Sequence, residues 1–384
     1  MNNIISCYFA NSMNAYLLLV IYLVSTTSIM AQVFTNKEVG KKNQAIIDSL
    51  KRSDYPYSLP IWGEKATKAG YDLPYSAGMS IQYLWQKQDL VIQNLYVGFN
   101  QGPLYNLDEI VRFENSVSEA SGINFRPDVW VLPFLNVYGI FAKSKPSTSV
   151  GFGVWIPDST NVWKEVFSTS SQANFDAFSL GFGMTPTIGV AGGFIAFDMN
   201  FTWTDIDALD KPAFSFIFDP RFGKSFKLKK PEQNIALWVG GFRWSINAGT
   251  AGSLPISDVL PIDELQSKIE QGYVKVDDAQ LQVDTWWGNL SPVEQSLPRN
   301  IAKYETANRA LTAAGNFLNA ADAAVGNAEN ATVEYSLEKR PAMKWNFMVG
   351  GQYQYNKHWM LRAEYGFFGT RNHFFTGIQY RFGL

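Results

Sequence analysis

Residues 343–384, MKWNFMVGGQYQYNKHWMLRAEYGFFGTRNHFFTGIQYRFGL, alternate apolar and polar positions through three consecutive runs. From Trp345 the odd positions are Trp345, Phe347, Val349, Gly351, Tyr353 and Tyr355, against Asn346, Met348, Gly350, Gln352 and Gln354. After a turn at Asn356-Lys357 the apolar set is Trp359, Leu361, Ala363, Tyr365 and Phe367, opposite His358, Met360, Arg362, Glu364 and Gly366. A third run sets Phe374, Thr376, Ile378, Tyr380, Phe382 and Leu384 against Phe375, Gly377, Gln379, Arg381 and Gly383. This is the period of a strand, whose successive side chains point to opposite faces.

A soluble sandwich also alternates. Three features favour a membrane barrel instead. The runs are about ten residues long, enough for a tilted strand to cross a bilayer. Trp345, Tyr353, Tyr355, Trp359 and Tyr380 cluster at their ends, where lipid meets water. The opposite face carries Gly, Gln, Arg and Glu, which suits a wet or salt-bridged lumen. The ending Tyr380-Arg381-Phe382-Gly383-Leu384 resembles the terminal strand of bacterial outer-membrane barrels, with Gly383 and Leu384 following the aromatic that usually closes it. Leu59-Pro60-Ile61-Trp62-Gly63, Gly70-Tyr71-Asp72-Leu73-Pro74 and residues 128–138 are similar to a largely uncharacterised, porin-like group of such barrels. The resemblance implies the bacterial outer membrane as location and a barrel as fold. It also implies contact with outer-membrane lipid and with the barrel-assembly machinery, and brings no catalytic residue.

Composition agrees. Aromatic residues are 15% and charged residues 17%, a balance that favours aromatic-rich strands over a heavily solvated surface. A net charge of -2 gives no reason to expect nucleic acid. Residues 1–31 read as an export signal: an apolar run from Ala15 to Val24, then Ser25-Thr26-Thr27-Ser28 and a small-residue end at Ala31. No Lys or Arg precedes the run, so a retained anchor is the alternative. The single cysteine, Cys7, lies before that run, so a cleaved chain would have no thiol for disulfides, metal binding or nucleophilic catalysis.

Residues 32–77 predict a short periplasmic helix followed by a strap rich in Pro and aromatic residues across the barrel mouth, or a plug or docking segment. The barrel is expected over 78–384, as a transmembrane antiparallel β-barrel of about 12 strands. Gly78–Gln86 and Leu90–Asn100 count as two strands, and so do Asn136–Lys143 and Ser149–Ile156. In the latter, Val150, Phe152, Val154 and Ile156 are expected to face out. Pro127 suggests an edge or bulged position, and the phase change at Gly240-Gly241 suggests a β-bulge. A helical hairpin is inserted at about 255–327. Its first face, Ile262, Leu265 and Ile269, is expected to end near Gly272, and its second runs through Tyr304, Ala307, Leu311, Ala314, Leu318, Ala321 and Val325. That stripe reads as packing on its partner helix, or as a surface for a protein partner. Counting back from a periplasmic C-terminus puts the hairpin outside the cell, but it also puts the tight Pro133-Phe134-Leu135-Asn136 turn outside. One strand is therefore miscounted or missing, with Thr332–Leu337 an extra candidate.

The charged residues expected to line the lumen are Arg126, Asp128, Asp198, Asp219, Arg221, Arg243, Arg362, Glu364 and Arg381. Such a balanced set either fills the lumen with ion pairs or lines a weakly selective pore. His358 beside Lys357 and His373 at a loop edge read as interface residues, without the Ser and carboxylate of an outer-membrane hydrolase. Asp205, Asp207 and Asp210 lack the rest of a calcium loop, so no metal or cofactor is expected. Lys224, Lys227, Lys229 and Lys230 form a solvated turn or a contact for lipid phosphate. Gly181-Phe182-Gly183 is a strand pattern. The first expectation for function is a passive channel for small polar solutes. A non-conducting structural or interaction barrel comes next, and a lipid-modifying enzyme last.

Overall fold

The alternation does build strands, and ten of them close on themselves. The computed structural model describes residues 44–384 apart from 191, 207, 208, 210, 231, 248, 260, 328 and 329. The expected export signal, Cys7, Asp207 and Asp210 lie outside the described residues. The ring comprises β1 (Ala77–Phe99), β3 (Val111–Leu132), β4 (Leu135–Pro157), β6 (Ala177–Val190), β7 (Gly193–Ile206), β8 (Ala213–Lys227), β9 (Asn234–Asn247), β12 (Trp345–Gln354), β13 (Trp359–Phe367) and β14 (Arg371–Phe382). Each is antiparallel to its neighbours, and β1 closes the ring by pairing with β14 on one side and β3 on the other. Closure leaves no sheet edge in the membrane-crossing part, which is the condition a strand structure must meet in lipid.

The outer face is an apolar belt. Ile81, Ile123, Phe141, Leu180, Phe222, Leu237, Leu361 and Ile378 all stand exposed on it. Trp203, Trp345 and Trp359 are exposed on the same face. No helix of the described residues is long and apolar enough to cross a membrane.

The count falls from the expected 12 to ten because two pairs of predicted strands are single strands. β1 and β4 each run 23 residues. Their polar middles do not loop out. Lys87 pairs with Asn372 and with Glu119, while Ser144, Lys145, Pro146 and Ser147 pair along β3. Backbone hydrogen bonds hold the ladder through a stretch whose side chains alone suggest a turn. At about 3.3 Å per residue such a strand is roughly 75 Å long, about twice what a tilted strand needs to cross a bilayer, so its second half projects beyond the belt. Merging these strands also moves the Pro133-Phe134 turn to the end that holds the C-terminus and the turns between β8 and β9 and between β12 and β13.

Two further expectations are corrected. The register of β3 with β1 continues across Pro127, and its register with β4 is the same on both sides of that residue, so Pro127 marks neither an edge nor a bulge. The registers of β9 with β8 and β12 are likewise unbroken through Gly240-Gly241. The apparent phase change arises because the even-numbered aromatics Phe242 and Trp244 point into the barrel.

The projecting halves carry a second layer. β11 (Thr332–Pro341) pairs with the second half of β1, β10 (Gly249–Pro255) with β11, β2 (Tyr105–Asn106) with β1, and β5 (Trp163–Asn174) with β4. The segment suspected from sequence as an extra strand thus exists, outside the ring. On this layer sits the helical insertion: α3 (Ile256–Val259), α4 (Ile262–Gly288), α5 (Pro292–Gln295) and α6 (Pro298–Val325), after α1 (Gln44–Arg52) and α2 (Gly63–Lys68) near the start of the described chain. α4 does not end at Gly272. A Cβ there would lie 2.9 Å from Leu318 Cδ2, so the glycine serves close helix approach and not termination. Ala307, Ala310, Ala314 and Ala321 of α6 are buried, and with Ile269, Leu311 and Leu318 they pack on Val154, Ile156, Val166 and Phe167 of the strands. Val154 and Ile156, expected to face out, are therefore core residues of this platform. Fully burying one such side chain is worth about 1.5–3 kcal/mol.

Residues 53–76 close the opposite end. Ser58 N–H donates to the Leu384 carbonyl at 2.9 Å, and Ile61 N–H to the Val131 carbonyl at 2.9 Å. Arg381 donates to the Tyr75 carbonyl at 2.9 Å, and Leu384 N–H to the Ser76 hydroxyl at 2.9 Å.

Candidate functional site

Because β7, β8 and β13 keep strict alternation, their inward positions bring three carboxylates to one level of the lumen, with Arg221 between them. One terminal nitrogen of Arg221 lies 3.0 Å from Asp198, 3.3 Å from Asp219 and 3.2 Å from Glu364. Arg362 Nε donates to Glu364 at 2.5 Å. Tyr138 donates its hydroxyl proton to Asp198, which also accepts from Thr185 at 3.0 Å. Arg126 lies over the Tyr138 ring at 5.1 Å, and Arg362 over Trp238 at 5.0 Å. Arg126 has no carboxylate within ion-pair distance among the described residues. Gly183 is where Tyr138 fits: a Cβ there would sit 2.4 Å from its ring. The small inward residues of β6 thus accommodate a side chain from β4.

Arg221 is only 5% exposed and Asp198 4%. A buried charge left without its partner is costly, so this layer holds together as a unit. Its charges balance: Arg126, Arg221 and Arg362 against Asp198, Asp219 and Glu364.

A second cluster lies toward the end with the short turns. Asp128 accepts from Arg381 at 2.6 Å, from Gln379 at 2.6 Å and from Asn136 at 2.8 Å. Toward the platform, Arg371 donates to Gln88 at 2.9 Å and to the Met343 carbonyl at 3.2 Å. It stacks on Phe242 and Trp244, each at 5.4 Å. His373 is fully buried against Phe242, 4.2 Å between rings, with Asn346 3.3 Å from its Nδ1. It is therefore an interior residue and not a loop-edge one. His358 stacks between Tyr75 and Tyr380, its Nδ1 2.7 Å from the Arg381 carbonyl.

Two cavities flank the charged layer. One of about 330 Å³ lies toward the platform and one of about 170 Å³ toward the short turns. Gln82, Arg126, Asp198, Arg221, Arg362 and Gly377 wall both. Of the residues expected in the lumen, Arg126, Asp128, Asp198, Asp219, Arg221, Arg362, Glu364 and Arg381 line one or both cavities or bond within these clusters. Arg243 does not. It shares its face of β9 with the exposed Leu237 and Val239, beside Trp345 and Phe218 on the neighbouring strands. Sequence reasoning missed Tyr138 and Arg371 and put His373 at a loop edge, although parity with Asn136 and with Phe375 placed each on the inward face. Among the described residues no group of three His, Cys, Asp or Glu side chains is arranged to hold a metal ion. Gly181-Phe182-Gly183 is strand.

No family model and no curated protein matches the sequence. Solved structures match the fold. The β domain of the Bordetella autotransporter BrkA matches at 8% identity over 80% of this chain and 100% of its own, with a TM-score of 0.33. The transport unit of the autotransporter AIDA-I from Escherichia coli matches at 9% over 90% and 100%, TM-score 0.30. An outer-membrane channel from Pseudomonas putida F1 matches at 7% over 81% and 97%, TM-score 0.27. The closed antiparallel ring, apolar outside and polar inside, is the architecture of a transmembrane β-barrel.

Proposed function

We propose that the protein is a non-conducting outer-membrane barrel whose working surface is the platform of strands and helices beyond the membrane. The observation that carries this reading is Arg221, buried at the same level as Asp198, Asp219 and Glu364, so that ion pairs fill the lumen where the two cavities would otherwise join. Short turns characterise the periplasmic side of such barrels. By that rule the C-terminus and the strap at 53–76 face the periplasm, and the helical insertion faces the cell exterior. The outer belt meets lipid, the terminal strand meets the assembly machinery during insertion, and the outer helices are available to a protein partner.

The passive-channel reading stands second, favoured by the two cavities with shared walls. It requires the charged layer to part. A lipid-modifying activity is not part of this proposal: among the described residues neither histidine is bonded to a carboxylate or a serine.

Conductance of the detergent-folded chain in a planar bilayer separates the two readings. The expected trace is silent while the protein keeps the heat-shifted electrophoretic mobility of a folded barrel. Steady current steps altered by Arg362→Ala would reinstate the channel.

A further inference from the structure

Within the platform lies a third cavity, of about 160 Å³. Its walls are apolar side chains of strands and helix, among them Leu95, Leu107, Phe152, Phe317 and Val333. A space so lined gives a water molecule few of the two to four polar partners it needs. At one end Thr148, Phe175, Tyr335 and Lys339 line this slot and the larger lumen cavity alike. Lys339 is the one charged residue in the slot's wall. Among the described residues its ammonium has neither a hydrogen-bond nor an ion-pair partner, and burial pulls its pKa below the ordinary lysine value.

An apolar slot that ends on an unpaired cation, at the point where it opens into the larger lumen cavity, matches one kind of molecule. We propose that the slot binds a single-chain amphiphile with an anionic head group, its chain between Leu95, Leu107, Phe152 and Phe317 and its head on Lys339. Burying the chain removes apolar surface from water, and the head group supplies the counter-charge that the lysine lacks. The cation fixes both sign and direction, because a chain inserted the other way would leave the ammonium without a partner.

The test is equilibrium binding of decanoate by the full chain in phospholipid nanodiscs, measured by titration calorimetry against empty discs. Saturable binding beyond that of empty discs is expected for decanoate or for decyl phosphate, and whichever binds more tightly tells a carboxylate head from a phosphate one. Decyltrimethylammonium, with the same chain and the opposite charge, is expected to behave as with empty discs. Lys339→Gln should weaken anion binding at least tenfold, whereas Lys339→Arg should retain it. Ala173→Trp, which fills the slot from β5 without touching the cation, should abolish it. Heat-shifted mobility on electrophoresis establishes that each variant is folded. Equal binding of the cationic amphiphile overturns the proposal, as does indifference to Ala173→Trp or the absence of any excess over empty discs.

Discussion

The inner face of β4 passes through two different interiors, and the contrast shows what an apolar residue means in such a chain. In the barrel this face carries Asn136, Tyr138, Ile140 and Ala142, looking onto ion pairs and a wet lumen. Farther along, the same parity carries Val150, Phe152, Val154 and Ile156, closed over by helices. β4 keeps its side-chain parity between them, although its register against β3 slips by one residue between Ser149 and Gly151, where β3 bulges. β1 makes the same passage by a different route: an irregularity between Gln93 and Tyr96 shifts the buried positions from Ile92 to Leu95 and Phe99. One interior is held by charges that must all be present, the other by apolar contacts that can be weakened one at a time.

The sharpest way to break that contrast is Arg221→Met. It leaves Asp198, Asp219 and Glu364 around one apolar side chain, and removing one member of a buried ion pair typically costs about 3–5 kcal/mol. The expected result is a fall of that size in urea unfolding of the lipid-reconstituted barrel. Arg221→Lys, which keeps the charge and loses the fork, should cost less. A variant as stable as the parent would mean that the carboxylates take up protons and that the layer is not held as a unit.

Leu318→Ala probes the other interior. Leu318 of α6 is fully buried against Gly272 of α4, and deleting such a side chain costs about 2–5 kcal/mol, depending on how well the site collapses. Here the loss should be local: protease should cut the helices faster while the heat-shifted mobility of the barrel persists. If barrel and platform unfold together, the two interiors are one cooperative unit.

Much of this was legible because parity is a strong signal where one face meets lipid. Phe178, Leu180 and Phe182 against Ser179 and Gly181 could be assigned from sequence alone, and the charged residues opposite such rows lie in the lumen, except Arg243. Arg243 was misplaced because Phe242 and Trp244 were read as lipid-facing. They point inward, where the Arg371 guanidinium stacks on both rings. The same equation of apolar with lipid hid the role of Val154 and Ile156. Strand ends were the least legible part. Lys87-Gln88-Asp89 looks like a turn, yet it is backbone-paired on both sides, with Gln88 reaching Arg371.

A smaller change sharpens the boundary of the platform. Ser291 caps α5, with its hydroxyl and the Glu294 side chain bonded reciprocally across the first turn. Ser291→Ala should cost about 1 kcal/mol. The loss should appear as faster amide exchange in the link between α4 and α6, with no change in the urea midpoint of the barrel.

The smallest expected effect is a pH dependence in the turn between β4 and β5. Burial alone would raise the pKa of Asp158, but hydrogen bonds from Thr160, an ion pair with Lys164 at 3.0 Å and the backbone N–H groups of Val162 and Thr160 outweigh it and hold the carboxyl well below the usual range. A carboxylate whose folded pKa is depressed stabilises the folded form fully above the unfolded value, about 3.9, and that contribution is lost as pH falls through the folded value. The turn should therefore be indifferent to pH from 7 to 5 and loosen only in stronger acid. Amide exchange at Thr160 and Val162 measures it, on the scale of about 1 kcal/mol for one hydrogen bond. Asp158→Asn should flatten the profile. An equal acid response in that variant would place the sensitive group elsewhere.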